Sequence, residues 1–91
     1  MSANAQVRQA VANAVAREQA RNSLVALLGW PNGGIVADAV ESWSRSVGHS
    51  TQLQALELCR VFLLHSPDDM LGREPAAIIE AFTNRLEQGL G

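Results

Sequence analysis

Ninety-one residues, 47% hydrophobic and 18% charged, with a formal net charge of −2, describe one small globular domain and exclude a disordered chain. The slight acidity speaks against general electrostatic capture of nucleic acid or anionic lipid. No apolar stretch approaches the length of a membrane span.

The first element reads as a helix from Ala3 to Leu28, with Ser2 in position to cap it. Val7, Val11 and Val15 recur at spacing four, flanked by Ala3, Ala10 and Ala14. That pattern makes a narrow stripe of small apolar residues, suited to close approach between helices. Glu18 and Arg21 fall near the same face and interrupt it. Apolar residues resume at Leu24, Val25, Leu27, Leu28 and Trp30. The interruption predicts that residues 1–20 lie partly outside the core, frayed or held by another chain.

Gly29 can end this helix in a left-handed conformation, Pro31 prevents its continuation, and Asn32-Gly33-Gly34 reads as a turn. A second helix follows from Ile35 to Val47, with Val36, Val40, Trp43 and Val47 on one side. Asp38 then falls in its first turn, where the helix dipole favours an acid, and Gly48 closes it.

Thr51 and Gln54 have the spacing of a capping box, so a third helix starts there. Between Leu53 and Leu64 it is apolar around nearly its whole circumference, leaving only Gln54, Glu57 and Arg60 for water. Such a helix belongs at the centre of a bundle or at an interface. It ends near His65, where Ser66-Pro67-Asp68-Asp69 gives a fresh start signal with a Ser cap. A short turn through Met70 and Leu71 stops at Gly72. The last helix runs from Glu74 to Leu90, its stripe Ile78, Ile79, Phe82, Leu86 and Leu90 opposite Glu80, Asn84, Glu87 and Gln88. These elements predict an all-α fold over residues 1–91: a compact bundle of four main helices plus one short helical turn, packed around Leu53–Leu64.

Little in the chain supports catalysis. Cys59 and His65 are six positions apart and face different directions on a helix. With His49 and scattered acids they do not form a metal-ligand pattern. Cys59 sits among leucines, where burial raises a thiol pKa rather than lowering it. Asp68 and Asp69 suit the start of a short helix, and Gly33-Gly34 lacks the lysine and strand of a phosphate loop. No catalytic, metal or cofactor-binding residue is assigned, and no cofactor is expected.

The expectation is therefore a non-catalytic protein–protein interaction module: an adaptor, chaperone, inhibitor or assembly subunit. Its partner would be another protein, itself, or both, with neither nucleic acid nor membrane involved. Val7, Val11, Val15, Trp30, Met70 and Leu71 are the candidate contact residues, since more apolar surface is present than a small bundle can hide. Pairing the valine stripe across a two-fold axis would give a homodimer. The alternative is a helix-turn-helix DNA-binding regulator using helices around 35–47 and 51–65, with Arg45, His49, Thr51, Gln52 and Gln54 near the DNA. A cytoplasmic location follows from the single cysteine and from opening residues without the pattern of a secretory signal. The seven basic residues are all arginine, a usage typical of GC-rich bacterial or phage coding.

Overall fold

The computed structural model describes residues 2–48, 51–66 and 68–90. Its elements are α1 (Ser2–Leu28), α2 (Asn32–Val47), α3 (Gln52–Leu64), a 3₁₀ turn (Asp68–Gly72) and α4 (Pro75–Leu90), with no strand among the described residues. The chain is an all-α bundle of four helices plus one short turn.

The punctuation residues act locally. Gly29 adopts φ +81° after α1, and Gly48 adopts φ +62° after α2, its N–H donating to the Ser44 carbonyl at 3.0 Å. Both positions favour glycine because a Cβ strains that conformation. At the start of α3 the Gln54 N–H donates to Thr51 Oγ1, and the Thr51 N–H donates to Gln54 Oε1, each at 3.1 Å. This reciprocal cap satisfies two otherwise orphaned donors.

Two start signals work differently from expectation. Helix α2 begins at Asn32, three residues before Ile35, so Gly33 and Gly34 are helical rather than a turn. A Cβ on Gly33 would lie 2.4 Å from the Val25 Cα and 2.8 Å from the Leu24 carbonyl oxygen. The glycine is required by close passage of α2 against the backbone of α1. Asp38 consequently falls in the second turn and pairs with Arg21 at 2.7 Å. The Ser66 hydroxyl donates back to the Phe62 carbonyl at 2.6 Å, which ties it to the end of α3, and Pro67 of the expected start signal lies outside the described residues.

The core joins Leu24 of α1, Val36, Ala37 and Val40 of α2, Leu56, Cys59 and Leu63 of α3, and Ile78 and Phe82 of α4. The central element is α2, which packs against α1, α3 and α4. Its small residues let neighbours approach on several sides. Helix α3 is not encircled, contrary to its apolar circumference. Ala55, Leu56, Cys59 and Leu63 are buried, whereas Leu58, Val61 and Leu64 remain exposed. The reason is that α4 lies chiefly over α2 and leaves the outer side of α3 open. Phe82 anchors α4, its ring 5.9 Å from Trp43 in an edge-on arrangement and 5.7 Å from Phe62. Complete burial of this side chain is worth about 2–3 kcal/mol.

Candidate interaction surface

Helix α1 is much longer than its contact with the bundle. Among the described residues the first buried one is Ala20, and every side chain from Asn4 to Val15 is exposed. The radius of gyration, 14.1 Å, exceeds the roughly 12 Å of a compact chain of this length. The accessible surface, 5920 Å², exceeds the roughly 5,200 Å² typical of this mass. The first half of α1 is an overhanging arm.

The attachment of α1 is polar at its upper end. Arg17 Nε lies 3.3 Å from Glu41 Oε2, Arg21 pairs with both Asp38 and Glu41, and Arg17 donates to Gln52 Oε1 at 3.1 Å. Burial alone would lower the Arg21 pKa, but its bonds to Asp38 and Glu41 raise it above the ordinary value. Farther down, Ala20 and Leu24 take over as apolar contacts.

At about 100° of rotation per residue, the valine row is centred roughly 150° around α1 from the side carrying Arg17, Ala20 and Leu24. Val7, Val11 and Val15 are 61%, 57% and 51% exposed. The side of the arm that continues the bundle-facing direction is instead polar. It carries Gln6, Gln9 and Asn13, with Gln9 Nε2 donating to Asn13 Oδ1 at 3.0 Å. The apolar side of α1 therefore moves from its back to its front near Glu18. No residue of the bundle can cover the valine row, because the bundle is attached on the other side.

The remaining candidate residues separate clearly. Trp30 is 79% exposed beside the α1–α2 turn, its indole close to Gly34. Met70 is buried and Leu71 half-buried against the core. Met70 therefore serves the core rather than an open surface, contrary to expectation, and Leu71 keeps only part of its surface, because the 3₁₀ turn folds back onto α1. A second apolar surface was not singled out in advance. It is the open groove between α3 and α4, lined by Leu58, Val61, Phe62, Phe82 and Leu86 together with His65 and Arg85. The all-round apolarity of Leu53–Leu64 is its signal: one side of that helix enters the core and the other stays open.

Chemical groups are sparse. Cys59 is buried, and loss of solvation pushes its thiol up to about 12. Among the described residues no three His, Cys, Asp or Glu side chains converge to hold a metal, and no helix is long and apolar enough to cross a membrane. Asp69 is bound to Arg73 at 3.0 Å. Of the groups that would read DNA, Gln54 is engaged in the α3 cap and Gln52 accepts from Arg17, while His49 lies outside the described residues. The fold and surface define an all-helical bundle with an outward-facing apolar arm. No family model matches the chain, and no curated protein or solved structure shows significant similarity to it.

Proposed function

We propose that the protein is a non-catalytic interaction module, an adaptor, chaperone, inhibitor or assembly subunit, that engages a partner protein through the back of the α1 arm. The supporting observation is the change of apolar side along α1, which leaves Val7, Val11 and Val15 facing away from their own bundle. Three valines in water on a helix that needs none of them for its core are a persistent unfavourable exposure. A partner surface removes that exposure. Trp30, at the other end of α1, is a second anchor of the kind enriched in interface cores. The lone cysteine fits a cytoplasmic setting.

The test replaces Val7, Val11 and Val15 with Asp and compares the size of the tagged protein in extracts of the cell that makes it. The variant should keep its helical signal and thermal midpoint, because no core contact is removed. The unaltered chain should run as a larger species and the variant at the size of a monomer. If both run as monomers in the extract and the purified chain also stays monomeric up to high micromolar concentration, the arm is not a binding surface and the proposal fails.

A further inference from the structure

We infer that the occupant of the valine face is a second copy of this chain, the two α1 arms packing antiparallel. This inference rests on the interaction reading above and adds the partner. Three features of the arm carry it.

Shape is the first. Asn4, Val7, Val11 and Ala14 recur at alternating spacings of three and four, the seam of a close helix pair crossing at a shallow angle of about 20°. Antiparallel overlap places Val7 of one copy against Val11 of the other, so the valines fill the middle. Asn4 then meets Ala14 at each end of the seam. The small alanine leaves room for the amide, which keeps its contact with water at the rim. A polar residue in such a seam costs some stability and helps to fix the register.

Charge sets the direction. Residues 1–16 contain one charged side chain, Arg8, and no carboxylate, so the seam itself desolvates no acid. Glu18 continues the same face and is exposed, with no ion pair among the described residues. In the antiparallel pair each Glu18 reaches the first turn of the partner's α1, where free N–H groups and the positive end of the helix dipole favour an anion. A parallel pair would instead place Arg8 beside Arg8, Glu18 beside Glu18, and two positive helix ends together.

Length and area set the strength. In the antiparallel overlap Arg17, where attachment to the bundle begins, comes level with the start of the partner's helix. The arms therefore overlap fully and the bundles stay at opposite ends. An overlap of about 15 residues, or roughly 22 Å, between side chains no larger than valine hides less than the ~1,200 Å² where standard interfaces begin. The dimer is accordingly weak and concentration-dependent.

Sedimentation of the purified full chain from the low to the high micromolar range tests the self-pairing. A reversible monomer–dimer transition is expected. Val11→Asp should move its midpoint by about tenfold or more, and Glu18→Arg, which touches no core residue, by several-fold in the same direction. The orientation is tested by disulfide trapping in a Cys59→Ala background. A mixture of Asn4→Cys and Ala14→Cys chains should crosslink, while the Asn4→Cys chain alone should not. Crosslinking of Asn4→Cys chains alone overturns the antiparallel arrangement. A purified chain that stays monomeric throughout overturns self-pairing. If the same chain still runs as a larger species in cell extracts, the interaction reading stands with a different partner.

Discussion

Gly33 and Gly34 are adjacent, yet the structure requires glycine only at the first. A methyl on Gly33 meets the backbone of Val25 and Leu24, which cannot yield without separating α1 from α2. A methyl on Gly34 meets the Trp30 ring at 2.8 Å, and that exposed side chain can swing aside. Alanine in place of helical glycine gains about 1 kcal/mol from backbone propensity, while overpacking against a rigid neighbour costs about 1–3 kcal/mol or more. Gly33→Ala is therefore expected to lose about 2 kcal/mol in urea unfolding. Gly34→Ala should remain within about 1 kcal/mol of the parent, with a shift in tryptophan emission as Trp30 is displaced. A larger loss at Gly34 than at Gly33 would contradict this account.

At the scale of elements, the joint between α1 and α2 depends on Glu41, which is held by Arg17 and Arg21 together. Its side chain is only 12% exposed, so removing it leaves two arginines side by side with Asp38 as their remaining acid. Glu41→Ala should destabilise the bundle by about 1–2 kcal/mol, partly recovered in high salt as the arginines are screened. Asp69→Ala, which breaks an exposed pair with Arg73, should change stability by less than about 0.5 kcal/mol. Equal effects in matched denaturation curves would rule out a special role for the joint. These elements also show how far a reader of the sequence can go. The Thr51–Gln54 cap, Gly29, Gly48 and the Ile78–Phe82 stripe are local signals, and each marks its helix. The interruption at Glu18 falls between the exposed Val7–Val15 row and the buried Ala20. What periodicity cannot reveal is which neighbour covers a given face. An apolar surface around α3 looks the same whether it is enclosed or open, and Met70 and Leu71 look exposed until the turn folds back. Asn32-Gly33-Gly34 resembles a turn because its glycines answer to a neighbouring helix that lies outside any local window.

For the whole molecule, the missing residue types simplify the response to alkali. With no lysine or tyrosine, Cys59 is the only side chain that titrates between about pH 9 and 12. Burial raises its value from 9.0 to about 12 in the fold, so above pH 9 the unfolded chain releases a proton that the folded chain keeps. Unfolding is then favoured as pH rises: the contribution is intact below about pH 9 and is lost progressively towards 12. Near pH 10.5 the loss should reach about 2 kcal/mol relative to pH 8. Urea melts across this range should show that slope in the parent chain. In Cys59→Ala, whose baseline is lower because of the cavity, the slope should disappear; a slope that persists would place its origin elsewhere.

The seating of α4 chiefly on α2, with Phe62 of α3 as a flanking contact, also makes the molecule mechanically lopsided. A pull on the carboxyl end loads the grip of Ile78 and Phe82, and the last helix can peel away like a flap while the other three stay clasped. A pull on the amino end draws instead on the Arg17 and Arg21 ion pairs and on Ala20 and Leu24 together, so it strains the hub itself.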